Sequence, residues 1–484
     1  MGELYDKNVI NLLSINILLS SFELEINVPK IDTSIFKAYD LRGVYPDQID
    51  ADVAYKVGRA YVTLIRQEQP DKELKIVVGA DMRTSTPELK AALIKGLTES
   101  GVNVIDIGLS STPTFYFAVA HYGYDGGVMV SASHNPAEYN GFKMTRAGAV
   151  PISGDTGIED IKQMVVNEAF VQSKTTGKTE IKEGVLDDEY ESQVKEMGLS
   201  PEKIKPFKIV VDAANAMGAL DVEKMFAQTN CELIKINFEL DGSFPSHEAD
   251  PLKEENMELT KKAVIEHKAD LGISPDGDGD RYFFIDDTGK SMRQEILRGI
   301  MAQMALKDNP GATVCYDIRP GKITKDMIEE VGGKASVTKV GHSLIKEQMI
   351  KEGAIFGGES SGHYFYKFKS GSYEAPIVLV LKFLEFLSEQ NKPLSQVIKP
   401  LQVYFHSGEI NSTVSDPQAV MTQLETTYSD AEISKLDGIT ITYPEYWFNV
   451  RASNTEPKLR LNLEAVSKEK MEEKRDEVLA VIRK

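Results

Sequence analysis

Along most of the chain, short runs of β-branched residues alternate with stretches whose apolar positions recur every three or four residues. Lys75-Ile-Val-Val-Gly79 passes through a polar turn into residues 87–97, where Leu89, Leu93 and Leu97 fall on one helical face. Lys208-Ile-Val-Val-Asp212 leads through Ala213-Ala-Asn-Ala-Met-Gly218 into a second helical run. Ala312-Thr-Val-Cys-Tyr-Asp317 leads through Arg319-Pro-Gly into a third, over 322–330. Strand, loop, helix in succession predicts parallel α/β units. The near-identity of KIVVGA at 75–80 and KIVVDA at 208–213 hints at an internal repeat. The long apolar run 377–387 carries Lys382 and Glu385 and follows Pro376, which predicts a core helix of ordinary length.

Connectors punctuate this pattern. Residues 172–184 are polar, Asp286-Asp-Thr-Gly289 reads as a hairpin turn or domain exit, and Lys392-Pro393 and Lys399-Pro400 bracket a change of character. Beyond them, 404–414 and 438–450 alternate like strands, and the charged segment from Ser467 onward reads as a helix. The predicted architecture is α/β: three similar mixed-sheet domains and a smaller C-terminal α+β domain. The boundaries read as 31–182, 183–290, 291–396 and 397–484. Residues 1–30 read as an extension outside this pattern. Their apolar stretch 9–19 is broken by Asn11, Ser14 and Asn16 and is too short for a membrane span. The head before it is net negative, unlike that of a secretory signal.

Length and composition narrow the classes. At about 150 residues per domain, 484 residues suggest three domains. The 42% hydrophobic and 27% charged content is that of a folded globular chain. The 74 acidic residues against 55 basic give a net charge of −19, which disfavours nucleic acid and anionic membrane as partners. Taken alone, the same charge argues against an anionic substrate. Only Cys231 and Cys315 occur, far apart, which excludes a disulfide scaffold or a structural zinc site and predicts reduced thiols in a cytoplasmic protein.

Four stretches carry candidate chemistry. In Ser274-Pro-Asp-Gly-Asp-Gly-Asp-Arg281, Asp276, Asp278 and Asp280 alternate with glycines, so on an extended loop all three carboxylates project to one side. Such a cluster suits a hard cation, and three carboxylates plus a phosphate oxygen suit Mg2+. An EF-hand is excluded, because Arg281 and Asp287 stand where its Gly and Glu are required. A solvated acidic turn is the ordinary alternative.

Val128-Met-Val-Ser-Ala-Ser-His-Asn-Pro136 is a strand-like run ending in a turn. Ser133 and His134 are neighbours that would point apart on extended backbone, and no GxSxG elbow accompanies them. A protease-like pair is therefore a poor reading. Ser133 fits better as a serine that carries a phosphoryl group, with Lys143 nearby to supply charge or a base. Gly357-Gly-Glu-Ser-Ser-Gly-His363 offers Glu359, Ser361 and His363 in a loop of small residues, a combination that can grip sugar hydroxyls. Arg451-Ala-Ser-Asn-Thr-Glu-Pro457 gathers Arg451, Ser453, Asn454 and Thr455 into a compact phosphate cradle. Each of these three could, taken singly, be a plain loop or cap. Tyr39 and Arg42 lie in Phe36-Lys-Ala-Tyr-Asp-Leu-Arg-Gly43, and His342 follows Gly341. There is no Walker A or GxGxxG motif.

Together, and in this order, the motifs resemble the α-D-phosphohexomutase superfamily, most closely its bacterial phosphomannomutase/phosphoglucomutase branch, from about Ser34 to the C-terminus. The resemblance implies four domains around a central cleft and reversible exchange of hexose 1-phosphate with hexose 6-phosphate, mannose and/or glucose. It implies that Ser133 is the phosphoserine and that Asp276, Asp278 and Asp280 hold one Mg2+ with the Ser133 phosphate completing the site. Glu359 and Ser361 would contact sugar hydroxyls. Arg451, Ser453, Asn454 and Thr455 would hold the non-reacting phosphate. Tyr39, Arg42, Arg281, Arg319 and His342 would line the cleft, with Lys143 and His363 the acid/base candidates.

A hexose 1,6-bisphosphate would be intermediate and activator, and the protein a monomer or homodimer. Residues 1–30 have no counterpart in the family. Arg319 stands where a Lys is usual, Ser246 where an Asn is usual, and residues 364–373 depart from the pattern. A phosphoglucosamine mutase shares the architecture. A non-catalytic sugar-phosphate sensor would need no phosphoserine, so the intact Ser133 and carboxylate triplet weigh against it. The basic residues Arg42, Lys143, Arg281, Arg319 and Arg451 all fall in the proposed cleft motifs, which reconciles an acidic body with an anionic substrate.

Overall fold

The computed structural model describes residues 31–452 and 458–484. The predicted extension 1–30 and the predicted contacts Ser453, Asn454 and Thr455 lie outside the described residues. In the first domain, β1 (Leu41–Val44), β2 (Lys75–Ala80), β3 (Asn103–Leu109), β4 (Gly126–Val130), β5 (Tyr139–Arg146) and β6 (Thr179–Ile181) form a sheet in the order β1-β5-β4-β2-β3-β6. The second sheet is β10-β9-β7-β8, from β7 (Lys208–Asp212), β8 (Glu232–Ile236), β9 (Leu271–Pro275) and β10 (Tyr282–Asp286). The third is β12-β11-β13-β14-β15, from β11 (Thr313–Asp317), β12 (Lys334–Thr338), β13 (Phe356–Gly358), β14 (Tyr364–Lys367) and β15 (Ser372–Glu374).

One unit recurs in all three sheets. The parallel trios β4-β2-β3, β9-β7-β8 and β13-β11-β12 are equivalent. Each continues into an antiparallel partner on the same side, β5, β10 or β14. The two KIVV runs are β2 and β7, the middle strand of their trios, and β11 is the third such strand. The sequence repeat is therefore a repeat of topology. Strands β4 and β9 are buried along their whole length, which is why they read as continuous apolar runs without alternation.

The fourth sheet is antiparallel throughout, β16-β20-β19-β18-β17, from β16 (Phe405–Thr413), β17 (Glu432–Ser434), β18 (Ile439–Thr442), β19 (Tyr446–Ala452) and β20 (Lys458–Ala465). The predicted strand region 438–450 is thus a hairpin of two strands, turning at Tyr443-Pro-Glu445. The predicted connector 172–184 contains β6, whose residues are all exposed; its edge pairing with β3 leaves no apolar pattern to detect. The final helix, Lys468–Ile482, is capped by the Ser467 side chain.

The apolar run after Pro376 is the helix Pro376–Glu389, with the proline in its first turn. Its buried Ile377, Leu381, Phe383 and Leu384 belong to one core that includes Phe115 of the first domain and Phe284 of the second. Phe284 and Phe383 meet with ring centroids 4.6 Å apart. Each such side chain contributes about 1.5–3 kcal/mol by burial, so the first three domains are fused through this helix. The fourth domain has a separate core around Phe448, Leu461 and Val478.

Candidate active site

The repeat explains where the chemistry gathers. Ser133 lies between β4 and β5, the three aspartates between β9 and β10, and Glu359 to His363 between β13 and β14. These are the same loop of the three units. Each leaves the carboxyl end of a parallel strand, the edge at which open α/β sheets place their ligands.

The serine loop is held in an uncommon conformation. Ser133 has φ +54, in the left-handed region. Its N–H donates to Ser131 Oγ at 2.9 Å. This corrects the expectation that Ser133 and His134 point apart: the positive φ turns them together, and Ser133 Oγ is 3.2 Å from His134 Nδ1. Ser133 Oγ also donates to Asp276 Oδ2 at 3.1 Å and accepts from Arg281 Nη2 at 3.2 Å. Arg281 donates to His134 Nδ1 as well, and burial with the Arg281 and Arg42 charges lowers the pKa of that ring. Arg42, which lies in β1, bonds Asp40 Oδ2 through Nε at 2.9 Å and Asn135 Oδ1 through Nη1 at 2.6 Å.

The aspartate loop is a turn, where an extended loop was expected. Gly279 has φ +73, and the N–H groups of Asp280 and Arg281 fold back onto Asp276 Oδ1 at 3.1 and 3.2 Å. Convergence survives: one oxygen from each of Asp276, Asp278 and Asp280 lies within 4.8 Å of the others. A Cβ on Gly277 would sit 2.4 Å from Ser133 O, so only glycine lets the two loops approach this closely. Lys143 on β5 donates to Asp278 Oδ2 at 2.6 Å and Asp280 Oδ2 at 2.7 Å. Thr112 Oγ1 donates to Asp278 Oδ2 at 2.6 Å.

Burial opposes the Lys143 charge, yet Asp278 and Asp280 hold its pKa well above the ordinary lysine value. Burial and then Asp280 push the Asp276 pKa up to about 7. Burial also opposes charge on Asp280, but Lys143 and His363 hold it well below the usual range.

His363 joins the second and third domains. Arg281 and His363 form an antiparallel backbone bridge. His363 Nε2 is 3.2 Å from Asp280 Oδ1, and its Nδ1 is 2.8 Å from Glu359 Oε2 and 3.1 Å from Ser361 Oγ. Burial works against the imidazolium, but Asp280 and Glu359 raise its pKa to about 9. Glu359 Oε1 accepts from Arg319 Nη2 at 3.0 Å and from Gly341 N at 3.1 Å. Arg319, the residue in place of the usual Lys, also donates from Nε to Asp317 Oδ2. His342 opens the helix His342–Glu352, with its ring 5.5 Å from His363 and 5.6 Å from Tyr39. Burial, Lys346 and His363 hold it neutral. Tyr39 OH donates to Val340 O at 2.9 Å.

Arg451 belongs to the other wall. It lies inside β19, and its guanidinium bonds Glu409 Oε2 at 2.5 Å and stands 3.9 Å from Asp437 Oδ2. The other predicted site residues within the described chain form one connected network, from Arg42 to His342. Among the described residues, Asp437 links Arg451 to that network, its Oδ2 accepting from Val340 N at 3.2 Å.

Two buried arginines complete the site and have no counterpart among the predicted residues. Arg83, 1% exposed, donates to the carbonyls of Ser133, Asn135, Pro136 and Tyr139 and so clamps the serine turn. Arg298 donates to Asp317 Oδ1 at 2.6 Å and to Pro320 O at 2.7 Å, fixing the loop that carries Arg319. The signal for Arg83 was the Asp81-Met-Arg83 triplet directly after β2. Arg298 sits in the helix Gln294–Asp308, and nothing in its spacing separates it from a solvated helical arginine.

Three equivalent loops thus present a serine hydroxyl, a carboxylate triplet and a Glu/His pair to one point, with an arginine supplied by a fourth domain. That is the outline of a phosphoryl-transfer enzyme acting on a hydroxylated substrate. Residues 33–172, 188–289 and 294–404 match phosphoglucomutase/phosphomannomutase alpha/beta/alpha domains I, II and III, and residues 409–481 match the C-terminal domain of the same family.

A phosphomannomutase of Vibrio cholerae is 39% identical over 443 residues, covering 90% of this chain and 95% of that protein. A phosphomannomutase of Methanocaldococcus jannaschii is 38% identical, covering 94% of this chain and 98% of that protein. The solved structure of a phosphoglucomutase/phosphomannomutase family protein from Burkholderia thailandensis superimposes with a TM-score of 0.84 at 32% identity, covering 93% of this chain and 97% of that one. The chain belongs to the phosphoglucomutase/phosphomannomutase family, and as such is a hexose-phosphate mutase.

Proposed function

We propose that the protein interconverts hexose 1-phosphate and hexose 6-phosphate, mannose and/or glucose, through a phosphoryl group carried on Ser133 and a hexose 1,6-bisphosphate intermediate. The observation that carries this reading is the Ser133 hydroxyl, 2% exposed, held between Asp276 and Arg281. A buried serine bonded to both an acid triplet and a guanidinium has the surroundings a phosphoserine needs. The four domains are taken as 31–182, 183–290, 291–396 and 397–484.

Asp276, Asp278 and Asp280 would hold one Mg2+. Their all-oxygen donor set fits a hard cation, and Asp278 Oδ1 is buried with no hydrogen-bond partner. When bound, the ion supplies Lewis-acid stabilisation of the phosphoryl oxygens. Arg281 offsets charge on the phosphoryl group as it leaves Ser133. Glu359 and Ser361 orient the acceptor hydroxyl. The acceptor hydroxyl gives up its proton in the forward transfer and regains it in the reverse, and Lys143 and His363 are the groups placed to exchange it. Tyr39, Arg42, Arg319 and His342 complete the walls. Arg451, with Ser453, Asn454 and Thr455, grips the phosphate that is not reacting. That cradle must accept either end of the sugar, because the bisphosphate turns over before it returns a phosphoryl group to Ser133.

Mannose and glucose are favoured by the names of the relatives, and phosphoglucosamine is the second reading. A coupled assay on mannose 1-phosphate, glucose 1-phosphate and glucosamine 1-phosphate tests it; turnover confined to the amino sugar would overturn the hexose assignment. Among the described residues no helix is long and apolar enough to cross a membrane. We take the enzyme to be cytoplasmic, a monomer or homodimer, and without a nucleic-acid partner. Arg451→Ala is expected to raise KM for hexose phosphate by about tenfold with kcat little changed, since it removes a charge-assisted contact to a phosphate that does not react. Steady-state kinetics check this, and a loss confined to kcat would remove Arg451 from the cradle.

A further inference from the structure

The fourth domain meets the third across a boundary that is not fully packed. A cavity of about 650 Å3 lies there, with Tyr316 and Lys322 on one side and Leu436, Thr442 and Trp447 on the other. Contacts between domains allow relative motion unless the interface is large and apolar, so this open pocket leaves the smaller domain room to rock. Two of its carboxylates nevertheless bridge the boundary. Glu464, fully buried, accepts from Lys322 N at 3.2 Å and from Trp447 Nε1 at 2.7 Å. It pairs across the sheet with His406, just beyond Tyr404, where the chain crosses between domains. That is the place and burial of a pivot.

Asp437 is different in both respects. Its side chain is one-quarter exposed. Its Oδ2 accepts from Val340 N at 3.2 Å and stands 3.9 Å from the Arg451 guanidinium. Val340 also accepts from Tyr39 OH of the first domain, the next N–H, of Gly341, is bonded to Glu359, and His342 follows. A single carboxylate therefore links the phosphate arginine to the loop around which three other cleft residues are arranged.

We propose that Asp437 is the latch of the cleft, a positioning residue that holds the fourth domain closed and retains the sugar phosphate between the two transfers. The proposal rests on the bisphosphate reading above. A phosphate on Arg451 competes with Asp437 and Glu409 for the guanidinium. Asp437 keeps Val340 N–H as its partner when a phosphate takes the guanidinium, and charge-assisted bonds of this kind are strong. The Val340 contact can thus hold the fourth domain to the third whether or not a phosphate occupies Arg451. The turn itself does not depend on the carboxylate: Asn449 Nδ2 donates to Asp437 O at 2.7 Å, and Gly438 takes the required positive φ of +68.

The test is kinetics of Asp437→Ala and Asp437→Asn in the full chain. Asp437→Ala is expected to raise KM for hexose phosphate by about five- to tenfold, the loss of one charge-assisted bond. Its steady-state turnover should come to require added hexose 1,6-bisphosphate, because the intermediate escapes. Single-turnover transfer from the phosphorylated enzyme should remain at the wild-type rate. Asp437→Asn, whose amide oxygen still accepts from Val340 N–H, should recover most of the lost KM. Wild-type KM and no bisphosphate requirement in Asp437→Ala would overturn the latch, as would a fall in single-turnover transfer that matches the rise in KM. If labelled substrate yields no bisphosphate in either enzyme, the bisphosphate reading fails, and the latch is then decided by KM and its rescue.

Discussion

Ser133→Ala is expected to lower mutase turnover by about 10⁴-fold or more while leaving phosphosugar binding measurable. The size of the effect follows from the absence of a substitute. Among the described residues, Ser133 Oγ is the hydroxyl bonded to both Asp276 Oδ2 and Arg281 Nη2. The nearest other hydroxyl in the turn, Ser131 Oγ, is buried and already accepts the Ser133 N–H. Binding should survive, because Arg319, Glu359, His342 and Arg451 are held by contacts that do not involve Ser133. Two measurements check it: kcat in the coupled assay, and calorimetric titration with substrate. Mass analysis of the wild-type peptide containing Ser133 should also show a phosphate that the variant lacks. Near-wild-type turnover from Ser133→Ala would sink the phosphoserine assignment.

The sequence carried the elements of this site better than it carried their geometry, for a physical reason. Motifs rich in Gly, Ser and Asp mark loops whose backbone must bend or be approached closely, and such loops stand out from the apolar strands that precede them. The strands β2, β4, β7 and β9 were legible because burial on both faces makes them uniformly apolar. What periodicity cannot reveal is a dihedral. Treating the 131–135 and 276–280 loops as extended put Ser133 and His134 apart, and rationalised three aspartates by alternation when turns at Ser133 and Gly279 bring the groups together. Edge pairing is equally silent: β6 is a strand because β3 offers it an open edge, and nothing in Thr179-Glu-Ile181 announces that.

The buried arginines Arg83 and Arg298 were missed for a related reason. An arginine inside a helix, like Arg298, reads as solvated, and although the Asp81-Met-Arg83 triplet marks Arg83, only the fold shows the carbonyls that surround it. The domain count was the opposite case. Length suggested three units, whereas motif order required four, and the separate core of the last 80 or so residues explains why a short domain can stand alone.

Removal of the divalent cation is expected to abolish turnover reversibly, and Asp278→Asn to weaken Mg2+ binding by at least about 100-fold with a matching loss of activity at low Mg2+. Asp278 is the informative ligand to change. Its Oδ2 already accepts from Thr112 Oγ1 and Lys143 Nζ, so an asparagine oxygen can keep those bonds and the loop. Its Oδ1 is buried and accepts no hydrogen bond, so that oxygen has a role only if a cation faces it. The substitution therefore separates ligand charge from loop architecture. Lys143, Arg281 and His363 are the cationic side chains that face the three carboxylates, and Lys143 and Arg281 would also have to act on the phosphoryl group and the acceptor hydroxyl. An ion in the triplet would free them for that work, so chelation should depress the transfer step more than substrate affinity. Calorimetric Mg2+ titration of both proteins, with activity measured across the same concentrations, checks the argument. Full turnover after exhaustive chelation, or unchanged Mg2+ affinity in Asp278→Asn, would show that the triplet serves the loop and not an ion.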